Sequence, residues 1–209
     1  MVLRAISIGI PSLDSLTLPP VQWPSSCISS SLPAGCTLTA GQLSVAAGAT
    51  CNLSPGTYCF PGGVRVSGTL TTSGKVQVYT AQPVYVLAQG AGNNGIIPAM
   101  DKPENFQVYS ISPTLSMGQS GTSEYPFSFL AGTVKGAFYH DLTISGGVRI
   151  SCDFFGSVIS GPGDTSVVAG RVHYDHALAD IASNNLPSWL SGGGGGGGAV
   201  TVTSWRQGS

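Results

Sequence analysis

The sequence predicts an all-β protein: a β-solenoid with a short C-terminal capping helix and a final strand. Three observations carry this. Charged residues make up only 8% of the 209 positions and glycines number 30, whereas an ordinary soluble domain is roughly 25% charged. Short segments alternate apolar and polar residues and stop at Gly. One phrase, V-R-V-S-G at 64–68, nearly returns as V-R-I-S-C at 148–152.

Composition bounds the rest. No charged side chain occurs from Ser15 to Val64, so solubility there rests on Ser, Thr, Asn, Gln and backbone. Disordered chains combine high charge with few apolar residues; this one is 42% apolar and is expected to fold. A net charge of −1 offers no cluster of Lys and Arg for nucleic acid or an anionic membrane, so neither is an expected partner of this portion. No apolar run reaches the roughly 18 residues of a membrane span, and "MVLRAISIGIPS" is too short in its apolar part for a secretory core. The expectation is a mature portion or fragment whose export or anchoring segment lies upstream.

Residues 1–35, Pro- and Ser-rich from position 11, are expected to be extended. Residues 36–190 form the β-rich domain. Within it "TLTAGQLSVAAG", "GVRVSGTLTTSG" and "KVQVYTAQPVYVLAQG" each carry β-branched or aromatic residues on a period of two and end at Gly. Residues 91–121 are less regular, with turns at "GAGNNG" and "PAMDKPEN" around a strand "FQVYSIS". Terse strands follow in "DLTISGG", "GVRISCDFFGSVISG" and "TSVVAGRVHYD". Self-similarity without a fixed period fits stacked coils, each burying its apolar side chains against the one before. A β-sandwich also yields short strands with Gly turns and is the alternative.

From Asp175 the period changes. Ala177, Leu178, Ile181, Ala182 and Leu186 fall at helical spacing, predicting a capping helix over about 175–186. Asp175 is placed to cap it, and Asn184-Asn185 before Leu186-Pro187 to stop it. Residues 191–198, with the run Gly192–Gly198, read as a flexible connection, and 199–209 as a terminal strand.

Cys27, Cys36, Cys51 and Cys59 crowd the charge-free part with no C-x-x-C pair and no nearby His. Disulfides therefore fit better than zinc, which implies an oxidising compartment. Of three pairings, sequence proximity suggests Cys27–Cys36 with Cys51–Cys59, leaving Cys152 over. In "GRVHYDHAL", His173 and Asp175 share a strand face and His176 joins them only if a helix starts at once; these are the candidate metal ligands, and Asp164 and Asp180, the further candidates, have no matching spacing. The competing role is structural, with His173 closing the last coil. Asp141, Asp153 and Asp164, at intervals of 12 and 11 residues, are the acids that a polysaccharide-cleaving β-helix would bring together. No motif of nucleophilic, phosphate-binding or zinc-peptidase type occurs, so no catalytic residue and no cofactor is assigned. In "SEYPFSF", Tyr125, Phe127 and Phe129 are candidate ligand-facing aromatics.

Four segments in order, "LSPGTYCFPGGVRVSGTLTTSG" (53–74), "VQVYTAQPVYVLAQGAGNNG" (76–95), "FYHDLTISGGVRISCDFFGSVISG" (138–161) and "SVVAGRVHYDHAL" (166–178), with the closing "VTVTSWRQ" (200–207), form a pattern. It resembles the uncharacterised C-terminal domain of bacterial PilX-type and Tad-type pilus-assembly proteins, over roughly residues 50–207. The resemblance implies a surface-exposed, non-enzymatic module of a pilus-associated or cell-envelope protein, with a membrane helix in the full-length parent. It supplies no catalytic residues. Three features depart from the pattern: the cysteine-rich segment before residue 60, the Pro-free "GAFYHDLTISG", and the Gly run. The expected partners are copies of itself or other pilus or envelope subunits, at the cell surface. An adhesin-like module holding a surface glycan and a polysaccharide-active enzyme are the alternatives.

Overall fold

A computed structural model describes residues 20–28, 32–88, 95–112, 115–116, 123–141, 143–159, 165–167 and 171–173. They are mostly strand. In chain order the strands are β1 (Thr37–Thr39), β2 (Gln42–Val45), β3 (Thr50–Leu53), β4 (Gly56–Phe60), β5 (Val64–Val66), β6 (Thr69–Thr72), β7 (Val76–Thr80), β8 (Val84–Leu87) and β9 (Gly95–Ile97). Then come β10 (Phe106–Ser110), β11 (Leu115–Ser116), β12 (Ser123–Glu124), β13 (Phe127–Ala131), β14 (Thr133–His140), β15 (Val148–Ile150), β16 (Asp153–Ile159), β17 (Thr165–Val167) and β18 (Arg171–His173). Short 3-10 turns at Ala99–Asp101 and Pro103–Asn105 lead into β10.

One sheet has seven strands in the order β1-β2-β5-β8-β13-β15-β17. A second runs β3-β6-β9-β14-β10-β7-β4, extended by β16 and β18 alongside β14. Among the described strands only β1–β2 and β11–β12 pair antiparallel; every other pairing is parallel. A β-sandwich is built of antiparallel neighbours, so that alternative is set aside. The parallel strands also explain the terse, apolar segments, since strands joined by crossovers rather than hairpins bury more of each strand.

Register converts the alternating pattern into rows. Leu43, Val64, Val84, Phe127 and Val148 are successive partners across five strands, as are Val45, Val66, Val86, Phe129 and Ile150. All ten are buried. The second sheet contributes Tyr58, Val78, Val108 and Phe138 in one register row, and the two sets share a single core. Four phenylalanines gather within that core: Phe138 lies 4.7 Å from Phe129 and 5.4 Å from Phe127 between ring centroids, and Phe129 stacks on Phe154 at 5.6 Å. Side chains follow the same rule. Hydrogen bonds join residues 20 apart at Gln42–Gly62, Thr57–Gln77, Thr71–Cys51 and Ser73–Leu53, and 30 apart at Gln77–Gln107.

Buried polar groups sit where the chain turns. Phe60, Thr80, Ser110 and His140 are register partners, and the last three are buried. The Thr80 hydroxyl donates to the Gln82 carbonyl at 2.6 Å, the Ser110 hydroxyl accepts from the Ser112 amide at 3.1 Å, and His140 Nε2 contacts the Ser112 carbonyl at 2.7 Å. Each pairing satisfies a group that would otherwise be costly to bury.

The disulfides are Cys27–Cys59 and Cys36–Cys51. This corrects the pairing suggested by proximity. Cys51 lies in β3 and points into the core, whereas Cys59 in β4 points to the opposite side of the sheet, towards the N-terminal segment. Alternation along a strand, not closeness in sequence, decides which sulfurs meet. The bonds place the protein in an oxidising environment, extracellular or periplasmic. Among the described residues no helix is long and apolar enough to cross a membrane. The expected helix over 175–186 with its cap Asp175, the Gly192–Gly198 connection and the strand over 199–209 lie outside the described residues.

Candidate functional site

Two outward faces carry the side chains of interest. The first belongs to the second sheet. Since Val78, Val108 and Phe138 point inward, their neighbours Tyr79, Tyr109 and Tyr139 must point outward. These three are partners across β7, β10 and β14, with ring centroids 4.9 and 6.4 Å apart. They are nevertheless buried, because residues 20–28 cross over them. This strap is fixed at both ends: the Val21 amide donates to Asp141 Oδ2 at 2.8 Å, and Cys27 is bonded to Cys59. Between these anchors Trp23 meets the Tyr79 ring edge-on at 6.2 Å, and Val21 packs on the tyrosine cluster. Beyond them the Ile28 amide donates to the Thr57 carbonyl at 2.7 Å.

Burial fixes the protonation of this face. It raises the Tyr109 phenol, which the adjacent Tyr79 raises further despite a hydrogen bond from Gln77. Burial, helped by the Asp141 carboxylate, pushes Tyr139 up to about 12. At Asp141 burial opposes the charge, but hydrogen bonds from the Thr143 hydroxyl and amide and from Val21, with His140 alongside, outweigh it and hold the carboxyl below its usual range. Burial lowers His140, only partly offset by Ser112 and Asp141. Asp141 is thus the anchor of the strap, with its oxygens occupied by Val21 and Thr143.

The acids proposed for catalysis do not converge. Asp153 is level with Thr133 at one end of the β14–β16 pair, while Asp141 follows the other end of β14. Seven or eight extended residues separate those ends, on the order of 20 Å. Asp153 instead pairs with Arg171, at 3.1 Å, across the neighbouring strand. Asp164 lies outside the described residues, as do Asp175, His176 and Asp180. His173 is exposed and stacks flat on Phe155 at 4.4 Å. Among the described residues no three His, Cys, Asp or Glu side chains gather at a metal-binding distance.

The aromatic segment is also corrected. Phe127 and Phe129 are wholly buried in the core and cannot face a ligand; Tyr125 is half-buried. The strand β13, which holds both phenylalanines, is an interior strand of the seven-stranded sheet with one face on the core, so every second residue points inward. Cys152 is a buried free thiol, raised to about 12 by burial and by Asp153.

The second face was not singled out from the sequence. On the outside of the seven-stranded sheet, Ser44, Arg65, Tyr85, Ser128 and Arg149 are successive register partners. The Arg65 guanidinium lies 4.9 Å above the Tyr85 ring centroid. A cavity of about 100 Å3 opens beside them, lined by Gln42, Gln82 and Pro83 among others. The signal for this row was present in the near-repeat of V-R-V-S-G and V-R-I-S-C, which sets its two arginines on the same side of the same sheet. Compared with protein-family models, with curated proteins and with solved structures, the chain matches none.

Proposed function

We infer that this chain is a non-enzymatic β-solenoid module of an extracellular or cell-envelope protein, and that it serves in or on a surface filament of the pilus type. The observation that carries the reading is an oxidised, charge-poor stack of parallel strands whose inner and outer side chains repeat in register. Residues 20 apart lie side by side, which is what successive coils of a solenoid produce. The strap and two disulfides brace the stack in an oxidising compartment, where such bonds persist. Large uncharged surfaces suit packing against copies of itself or against other envelope subunits, and the ordered motifs of residues 50–207 resemble such domains.

The test is mass spectrometry of filaments sheared from the source cells, under non-reducing conditions. Stoichiometric recovery of the chain with both disulfides intact supports a structural filament component. Recovery in trace amounts assigns it to a tip or assembly factor, and absence from the filament and envelope fractions overturns the reading. The adhesin alternative no longer draws on Phe127 and Phe129, which are core residues.

A further inference from the structure

We propose that the outer row of the seven-stranded sheet, from Arg65 past Tyr85 to Arg149, is a binding site for an acidic polysaccharide, carboxylated or sulfated. The proposal goes beyond the envelope reading and does not depend on it.

The first ground is charge. The strands of this sheet, β1, β2, β5, β8, β13, β15 and β17, contain two arginines and no acidic residue. By contrast Lys135 and Arg171, on the other sheet, are each paired with an aspartate. In a chain with so few charges, two cations in one register row without a counter-charge on their own sheet form a distinct electrostatic feature. Complementarity calls for an anion.

A second ground is the partly buried, uncompensated guanidinium of Arg149. Arg149 Nε is shut off from solvent and has no hydrogen-bond partner among the described residues, although the residue as a whole is partly open. A guanidinium partly withdrawn from water with no counter-charge is costly. A carboxylate or sulfate at the open part of the Arg149 side chain would offset that cost, without reaching the sealed Nε itself.

Spacing and preorganisation specify the class. Arg65 and Arg149 are three strand positions apart, about 14 Å at the usual strand separation. Between them lies the half-buried Tyr85, Ser128 of the same row being buried, and beside Arg65 the cavity is lined by Gln42 and Gln82. Two cationic grips with a phenol between them and amides beside the first match a polymer bearing acidic groups among many hydroxyls. Single-stranded nucleic acid also calls for open aromatic faces on which bases stack, and the Tyr85 face is already occupied by Arg65. Stacking on Tyr85 already holds Arg65 over the sheet, reducing what must be ordered on binding.

The test is binding of the full oxidised chain to polygalacturonate and to dextran sulfate, with neutral dextran and single-stranded DNA alongside, at low and moderate salt. We expect affinity for at least one acidic polysaccharide, none for neutral dextran, and weaker affinity for DNA. R65Q and R149Q should each weaken binding about tenfold, as loss of one charge-assisted pair does, and R65Q/R149Q should abolish it. R171Q, on the other sheet, should bind as the parent does. Preference for polygalacturonate or for dextran sulfate separates a carboxylated from a sulfated ligand, and either supports the site. Near-UV circular dichroism checks folding, and should R149Q fail to fold, the exposed R65Q decides alone. No binding of either acidic polymer, unchanged affinity in folded R65Q or R65Q/R149Q, or equal binding of DNA would overturn the proposal.

Discussion

At the scale of single residues, position within a row sets the consequence of a change. Phe138 touches Phe106, Phe127, Phe129 and Phe154, so Phe138→Ala leaves a cavity that four rigid rings cannot close. A loss of about 3–5 kcal/mol is expected in denaturant unfolding. Two titrating residues make the fold acid-sensitive. His140 has its folded-state value lowered, so its stabilisation is present above about pH 6.5 and is lost as pH falls from there towards the folded value. Asp141, also lowered, holds its contribution above about pH 4 and gives it up below that. Thermal midpoints should therefore fall in two stages on acidification, the first absent in His140→Gln and the second in Asp141→Asn, measured by scanning calorimetry. Residue identity alone conveyed little of this. The aromatics of "SEYPFSF" read equally well as core or as ligand platform, and only the interior place of β13 in its sheet decides for the core.

Elements show why the strand pattern was legible and the spacing was not. Segments such as "KVQVYTAQPVYVLAQG" announce β7 and β8 because inward and outward residues differ along them. No period was visible, because the distance between neighbouring strands grows from 20 residues at Thr57–Gln77 to 30 at Gln77–Gln107. The added chain includes the two 3-10 turns before β10. Pairing between coils also leaves no mark in a short window, which is why closeness in sequence points away from the true disulfide partners. Where β14 and β16 run together, Gly136 and Gly156 are register partners and Gly156 adopts φ +139°. A Cβ at Gly156 would run into the Gly136 carbonyl, so Gly156→Ala is expected to destabilise by about 2 kcal/mol or more. The Cys27–Cys59 bond closes a separation of 32 residues, and Cys27→Ser with Cys59→Ser should cost about 2–4 kcal/mol. Non-reducing peptide mapping should return Cys27 linked to Cys59 and Cys36 to Cys51, with Cys152 unalkylated until the chain unfolds.

For the whole molecule, the strap ties the first described residues to a late strand, so its loss should be felt across the second sheet. Deprotonation at high pH reports on this. Tyr109 and Tyr139 are raised above the ordinary phenol value of 10, so the unfolded chain releases these protons first and stability falls as pH rises from about 10 towards 12. Ultraviolet titration should show these phenols ionising only with unfolding, and the Cys27→Ser, Cys59→Ser variant should bring that event to lower pH. The all-β class, the oxidised cysteines and most strands were readable from composition and alternation. The strap was not, because the Val21–Asp141 contact spans 120 residues and neither partner lies in a recognisable motif. That span also orders events in time. Cys36 finds Cys51 after 15 residues and Cys27 finds Cys59 after 32, so a chain delivered across a membrane amino end first can close both bonds before Asp141 has emerged. Until then the segment is a tethered flap over tyrosines that are still arriving. Its settling onto the sheet waits for Asp141, so the covering of the phenols separates a chain whose β14 is in place from one in which only the two bonds have closed.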